Sequence, residues 1–201
     1  PYSNTDVAER FLQQMGDRIR VKANSKASHR KFLIRVKPTD CKWTTDEINR
    51  VEDAVRKFCV QLGCEAAATL SPREANLTYQ ALCNSQEGVM RQIKTFSNIN
   101  ILPADCDQDK NVICTPSGLV DLKTGRNIDI TTSSTYHTKQ TSCSPDWTCP
   151  TPLFDSFLNF ALEKNELIKL LQTFMGYALT GHTREQIFLF AYGGGGTGKG
   201  M

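Results

Sequence analysis

The sequence lacks an apolar run long enough to cross a membrane, and its first residues do not place a basic segment ahead of an apolar one. We therefore expect no membrane partner and a cytoplasmic location. The sequence also lacks a Cys-x-x-Cys pair, although it contains eight cysteines. Because such pairs are the common spacing of structural zinc sites, and because disulfides are rare without a secretory signal, we predict free cysteines and no metal site.

One group of residues offers an alternative to the absence of a metal. His137, Cys143 and Cys149 lie in a polar segment that also contains Pro145 and Pro150. A structural zinc ion requires a fourth ligand and more closely spaced pairs. The group therefore meets only part of the requirement for zinc.

The net charge of +3 is too small to require a nucleic-acid partner, but the basic residues are unevenly distributed. The stretch 18–37 (RIRVKANSKASHRKFLIRVK) is rich in Lys and Arg and contains no acid. Apolar residues alternate along both of its arms, which predicts an antiparallel two-stranded ribbon. We expect Arg18, Arg20, Lys22 and Lys31 to contact DNA phosphates. The alternative is a solvated face whose charges keep an edge strand from aggregating.

Apolar residues at helical spacing predict six helices. The expected helices cover residues 5–15 (capped by Thr5 or Asp6 and ended by Gly16), 44–63 (a Thr44–Glu47 capping box, ended by Gly63), 71–84 (Ser71, Pro72 and Glu74 at its start), 85–96, 151–164, and 165–181 (capped by Asn165). We expect the apolar stripes of the last two helices to form core.

Between the fourth and fifth helices the pattern changes to alternation. Residues 111–130 contain two turn signals, at 116–118 and 123–125, and predict three short antiparallel strands. Residues 131–150 are almost wholly polar and turn-forming, which predicts an exposed loop.

The chain ends on GGGGTGKGM, directly after the apolar run Ile187–Tyr192. Such a run is typical of a buried parallel strand. Gly193, Gly198 and Lys199 match the first seven positions of the phosphate-loop motif, in which backbone N–H groups surround phosphate oxygens and the lysine reaches the β- and γ-phosphates. The expected nucleotide-binding residues are Gly193, Gly194, Gly195, Gly196, Thr197, Gly198, Lys199 and Gly200, with Lys199 as the catalytic residue. Gly200 stands where the motif has Ser or Thr as a Mg²⁺ ligand, so the metal needs another ligand or water. The alternative is a flexible glycine-rich linker.

Two further motifs give a resemblance. The stretch VICTPSGLVDLKTG, with Asn111 ahead of it and with Gly118, Asp121, Leu122, Thr124 and Gly125, and the later GYALTG (176–181) resemble the phage and plasmid primase-helicase family, which includes the poxvirus primase-helicase. In that family these motifs lie in a linker domain that leads into the phosphate loop of a superfamily 3 helicase. The resemblance is strong from about residue 100 onward and diffuse before it.

The resemblance implies an α+β fold, with a mainly helical linker or collar domain carrying short antiparallel β-hairpins, followed by the first strand and phosphate loop of a truncated α/β (AAA+-like) ATPase domain. We expect three regions: 1–100 (helical, with the basic hairpin at 18–37), 101–182 (hairpin segment, polar loop and helical pair) and 183–201 (start of the ATPase domain). The chain begins with Pro1 and stops inside a motif, so we expect it to be a fragment of a longer chain.

The same resemblance implies an ATP-dependent replicative DNA helicase that uses Mg²⁺, assembles as a homo-hexamer on single-stranded or forked DNA in the host cytoplasm, and has a primase-polymerase domain upstream. We expect this fragment alone to turn over no ATP. One alternative is a non-catalytic nucleic-acid-binding and oligomerisation module with a vestigial phosphate loop. Another is a kinase-like enzyme for a small molecule, although such enzymes usually begin close to their phosphate loop.

Overall fold

The computed structural model describes residues 2–23, 31–130, 135–162 and 164–194. Within these ranges the chain is α+β, as predicted, with six α-helices and two small sheets. The helices are α1 (Asn4–Met15), α2 (Arg50–Ala67), α3 (Pro72–Asn84), α4 (Gln86–Ile93), α5 (Pro152–Leu162) and α6 (Asn165–Leu179). The strands are β1 (Ile19–Lys22), β2 (Lys31–Ile34), β3 (Thr44–Thr45), β4 (Asn100–Ile101), β5 (Val112–Thr115), β6 (Gly118–Asp121) and β7 (Arg126–Ile128).

The chain divides into two compact units. The first contains Pro1–Gln108 and Ser134–Lys139, and the second contains Asp109–Ser133 and Gln140–Met201. None of the helices in the described ranges is both long and apolar enough to span a bilayer.

A four-stranded sheet with the order β3-β2-β1-β4 lies in the first unit. β1 and β2 pair antiparallel, with Ile19 opposite Ile34 and Lys22 opposite Lys31, and β4 pairs parallel to β1. The predicted antiparallel pairing of the basic hairpin is confirmed, and β3 and β4 extend the pair to a four-stranded sheet. The short strands β3 and β4 gave too little alternation to be recognised. The turn of the hairpin lies outside the described residues.

The core of the first unit forms where the helices cover one face of this sheet. α1 packs on α4, and α2 packs on α3. Side chains from β1, α1, α2 and α4 are fully buried, including Ile19, Val21, Val7, Phe11, Val51, Val55, Val89 and Ile93. Alternation in β1 and helical spacing in α1 and α2 place these apolar residues on facing sides, as their patterns predict.

The capping residues at the starts of α3 and α1 agree only in part with the predictions. The capping box Ser71–Glu74 of α3, with Pro72 in the first turn, is confirmed. α1 is capped by Ser3, whose hydroxyl accepts from the Asp6 backbone N–H at 3.2 Å, and not by Thr5 or Asp6. Asp6 is instead the third residue of that capping box.

The predicted start and end of α2 are both wrong. Thr44 pairs in β3, and α2 begins at Arg50, where the Asp46 carboxylate accepts from the backbone N–H groups of Arg50 (2.9 Å) and Val51 (2.8 Å). A strand pairing in three dimensions has thus replaced the local capping box. Gly63 lies inside α2, buried against Tyr79 of α3, so it serves close packing between helices and does not end one.

The predictions for α6 and for the cysteines also need correction. The cap of α6 is Lys164, and Asn165 is its first helical residue. The expectation of free thiols is wrong at Cys41 and at Cys114, each of which is in a disulfide. The described free cysteines are Cys59, Cys64, Cys83, Cys106, Cys143 and Cys149. Cysteine spacing gives no means of predicting which thiols oxidise.

The second unit contains the antiparallel sheet β5-β6-β7 and the helices α5 and α6, as predicted. The apolar stripes of these helices are not core, because neither helix has a buried residue among those described. In the predicted stripes, Phe154 is 50% exposed and Met175 is 52% exposed. Helical spacing predicts that one face is apolar, but it does not show what covers that face.

Two other segments differ from their predictions. Ile187–Tyr192 forms no strand in the described part of the chain and is exposed, with Phe188 at 84% and Tyr192 at 86%. The polar segment 131–150 is exposed around Trp147, but His137 is buried. Residues 131–134 lie outside the described residues. An apolar run reads as a buried strand only if neighbouring strands are present to pair with it.

Candidate nucleic-acid interface and phosphate loop

The four basic residues predicted to contact DNA fall into two classes in the structure, and the first class is bonded within the fold. Arg18 donates from Nε to the Arg35 carbonyl at 3.3 Å and from its guanidinium to the Val36 carbonyl. These bonds join the end of β2 to the start of β1. Arg18 therefore has a structural role whether or not it reaches a ligand.

Arg20 lies between two aromatic rings. Its Cζ is 5.2 Å from the Trp43 ring centroid and 5.6 Å from the Tyr136 centroid, which is within the range of cation–π interaction. Its guanidinium also donates to the carbonyls of Ile19 (2.7 Å) and Gly16, and Nε donates to the Tyr136 hydroxyl at 3.3 Å. Arg20 thus fastens the Tyr136 segment to β1.

Arg35 completes this cluster of Arg20, Arg35, Trp43 and Tyr136, which we call the arginine–aromatic cluster. Its Cζ is 4.8 Å from the Trp43 centroid, so two guanidinium groups contact the same indole. Burial, and then repulsion by Arg20, lower the pKa of Arg35. The indole is 5% exposed, so the cluster is a packed structural feature and not an open surface.

The second class of predicted contacts consists of Lys22 and Lys31. They lie directly opposite each other in the β1–β2 pairing, a position in which like charges repel. Lys31 is exposed and Lys22 is half-buried. The described ion pairs of the chain lie on α2 and α4 and do not include either lysine. These two lysines are therefore available to an external anion.

Two grooves lie beside these lysines in the first unit. The first, which we call the Lys22 groove, has a volume of about 460 Å³ and is lined by Lys22, Lys42 and Glu47 among others. The second has about 440 Å³ and is lined by Lys31 and Lys94, but also by Asp46, Glu47 and Glu52. The first groove is thus the more basic of the two.

Thr138, in the segment Thr135–Lys139, lines the Lys22 groove. His137 bridges to Lys42, and the Trp43 backbone N–H donates to the His137 carbonyl at 2.7 Å. Thr138 donates to Asp107 from its backbone N–H at 2.7 Å and from its hydroxyl. Burial raises the pKa of Asp107, but these hydrogen bonds outweigh burial and the net pKa is lowered. The segment is held in place, although the sequence predicts a loop.

The family motifs of the second unit form turns and hydrogen bonds. The Asp121 carboxylate accepts from the Lys123 backbone N–H and the Thr124 hydroxyl, both at 2.9 Å, and Gly125 follows with a φ of 67°. Asp and Gly are needed at these positions because they form the tight β6–β7 turn. The DLKTG motif is therefore structural.

The second motif meets the first. The Gly181 backbone N–H donates to the Lys110 carbonyl at 2.9 Å, and His182 Nε2 is 3.2 Å from Asn111 Oδ1. A Cβ on Gly181 would lie 3.2 Å from Lys110 Cγ, so glycine permits this approach. The end of α6 is thus fastened to the start of β5.

Most of the predicted phosphate loop lies outside the described residues. Gly193 and Gly194 are described and exposed. Gly195, Gly196, Thr197, Gly198, Lys199 and Gly200 are among those not described. The predicted nucleotide site, including the catalytic role of Lys199, stays a prediction.

The candidate zinc ligands differ in their exposure to solvent. Cys143 and Cys149 are exposed free thiols, whereas His137 is buried with its Nε2 3.1 Å from the Thr135 hydroxyl. In the ranges that the structure covers, no group of three or more His, Cys, Asp or Glu side chains is arranged to hold a metal ion.

Sequence reasoning missed Lys42 and the aromatic partners Trp43 and Tyr136. Tyr136 is 116 residues from Arg20, so no local pattern links them. The one available signal was Lys42-Trp43 followed by two threonines, which is typical of a short strand.

A family model described as "D5 N terminal like" matches residues 8–163 of the 201. No curated protein sequence matches the chain.

Proposed function

The chain belongs to the D5 N-terminal-like family, and from that membership we propose that it is the linker or collar region of an ATP-dependent replicative DNA helicase. The family represents the N-terminal region of D5-like primase-helicase proteins. The match over residues 8–163, which covers most of the 201 residues, is the observation that carries the proposal.

Contacts within the second unit support the proposal that this region leads into a motor domain. The bonds of Gly181 and His182 to Lys110 and Asn111 fix the end of α6, and the chain continues from there to the glycines. We propose that Ile187–Tyr192 becomes the first strand of a superfamily 3 ATPase domain when strands of that domain are present to pair with it. Its exposure among the described residues is consistent with an unfilled strand position.

We propose that the glycines from Gly193 to Gly200 bind the phosphates of ATP with their backbone N–H groups, and that Lys199 contacts the β- and γ-phosphates. ATP supplies the free energy of translocation when bound. Gly200 offers no hydroxyl, so Mg²⁺ is held by water or by other residues. In this proposal the full-length protein forms a homo-hexamer on DNA and carries a primase-polymerase domain upstream.

DNA-stimulated ATP hydrolysis by the full-length protein tests this function. We expect single-stranded DNA to raise the rate of phosphate release, and Lys199→Ala to abolish it. Lys164→Ala is the matched control, because Lys164 is an exposed lysine outside the glycine stretch. The 201-residue chain alone should release no phosphate above background. Hydrolysis that survives Lys199→Ala would remove the phosphate loop from the mechanism.

A second candidate is a nucleic-acid-binding and oligomerisation module without catalysis. The exposed apolar residues of α5 and α6 favour it, because large apolar patches commonly mark protein contacts. Light scattering and nucleotide titration of the same sample separate the two candidates. Oligomers that bind DNA but not ATP support the module.

A further inference from the structure

We propose that the Lys22 groove binds the phosphodiester backbone of a single nucleic-acid strand through Lys22 and Lys42, with Lys31 extending the contact. The identity of the strand as DNA rests on the proposed function, but the groove and its chemistry do not. Lys22 and Lys31 are two of the four DNA contacts expected from the sequence, and Lys42 is new. Arg18 and Arg20 are left out because they are bonded within the fold.

The Lys22 groove has a basic lining. Lys22 and Lys42 are half-buried side chains of like charge, and Glu47 is the one acidic side chain among the described residues that line the groove. Two like charges that line one groove favour the binding of an anion there, because the anion offsets their repulsion. A phosphate is the common biological anion that lysine binds as a point charge.

The basic surface extends beyond the Lys22 groove. Lys31 lies directly across the hairpin from Lys22, so the positive charge continues beyond the groove. An array of three lysines suits a repeating polyanion better than a single phosphate. The volume of about 460 Å³ is in the range of pockets that enclose a ligand of nucleotide size.

The acidic side chains of the second groove limit the path of the strand. Asp46, Glu47 and Glu52 line the neighbouring groove, so its two lysines face three carboxylates. A strand of phosphates is repelled there. We therefore place the strand along Lys42 and Lys22 and end it at Lys31, which lies opposite Lys22 but also lines the acidic groove. A concave basic groove that follows one backbone is the usual form of a site for single strands.

Fluorescence anisotropy with a labelled 20-nucleotide oligo(dT) tests the proposal, using the 201-residue chain at several NaCl concentrations and without ATP. The key variant is Lys22→Ala with Lys42→Ala. Each phosphate contact contributes about 0.7 to the slope of log affinity against log salt, so we expect the slope to fall by about 1.4. The affinity at low salt should fall by about tenfold or more.

Three further variants make the result specific. Lys57→Ala with Arg73→Ala removes two exposed positive charges from α2 and α3, and should leave the slope unchanged. Lys22→Arg with Lys42→Arg keeps the charge and should bind within about threefold of wild type. Glu47→Gln removes the carboxylate from the groove and should bind about two- to fivefold more tightly.

The proposal is overturned if the Lys22/Lys42 double variant retains the wild-type slope and affinity, or if the Lys57/Arg73 control loses as much. It is also overturned if oligo(dT) does not bind at 50 mM NaCl. Circular dichroism melting of each variant identifies misfolded protein, in which case the arginine pair and Glu47→Gln decide the outcome. If the wild-type chain does not bind oligo(dT) while the full-length protein hydrolyses ATP, this inference alone is refuted. If the chain binds oligo(dT) as described while the full-length protein hydrolyses no ATP, the motor alone is refuted.

Discussion

Replacing Arg20 by Ala distinguishes a structural residue from a DNA contact. Arg20 contacts both Trp43 and Tyr136 and donates to the carbonyls of Gly16 and Ile19. A partly desolvated cation–π contact contributes about 1 kcal/mol, and hydrogen bonds from a charged donor contribute about 1.5 kcal/mol or more. Allowing for relaxation, we expect Arg20→Ala to lower the free energy of unfolding by about 2–4 kcal/mol.

Lys22→Ala is the matched control, because Lys22 is the next outward residue on the same strand. It is available to an external anion, so its loss should change stability by less than about 0.5 kcal/mol. Arg20→Lys keeps the charge but not the planar group, and should fall between the two. We therefore expect the free energy of unfolding to decrease in the order wild type, Lys22→Ala, Arg20→Lys, Arg20→Ala.

Urea unfolding followed by tryptophan fluorescence measures these differences. The chain has two tryptophans, and Trp147 is 67% exposed, so a Trp147→Phe background leaves the buried Trp43 as the reporter. With a slope of about 2 kcal/mol per M, Arg20→Ala should lower the midpoint by about 1–2 M. Equal midpoints for Arg20→Ala and Lys22→Ala would refute the structural role of the arginine–aromatic cluster.

Three other perturbations follow from the packing of the first unit. Asp46→Ala should cost about 1 kcal/mol in urea unfolding because it removes the cap of α2, whereas Glu47→Ala should cost almost nothing; equal costs would restore the predicted Thr44–Glu47 box. Gly63→Ala should cost about 1–3 kcal/mol because its Cβ would lie 2.7 Å from Tyr79 Cδ2, whereas Gly16→Ala, with nothing within 4 Å, should be neutral or stabilising; a harmless Gly63→Ala contradicts the close packing. The pKa of Asp107 is lowered in the folded protein, so its contribution to the free energy of unfolding is complete above its unfolded pKa of about 4 and is lost as pH falls through the lower folded pKa. The melting temperature should therefore fall more steeply with acid in wild type than in Asp107→Asn. Parallel pH profiles of the melting temperature would contradict this.

The sequence predicts elements whose signals are local. The helix α3 shows this, because Ser71, Pro72 and Glu74 act within one turn. The β5–β7 meander shows it too, since its turns depend on Asp121 and Gly125 in the same few residues. In both cases the free energy that selects the structure comes from neighbours in the chain.

Features that depend on distant partners were missed. Thr44 resembles a helix cap, but pairing with Ile34 places it in a strand. Tyr136 lies in a polar segment, and its ring contacts with Arg20 and Trp43 and its backbone bonds to Asp105 and Asp107 make it part of the first unit. The basic residues near Arg18 look alike in sequence, whereas packing separates structural arginines from accessible lysines. The apolar run Ile187–Tyr192 shows the converse, because its pattern predicts burial that the described residues do not supply.

The most direct measurement of the central claim is the thermal unfolding of the full-length protein with and without Mg²⁺-ATP, in wild type and in Lys199→Ala. Ligand at about 100 times its dissociation constant stabilises the bound domain by about 2.7 kcal/mol, which is an upward shift of several degrees. We expect that shift in wild type and in Lys164→Ala, and its loss in Lys199→Ala. Identical melting curves with and without ATP in the wild-type protein would contradict the assignment of a motor.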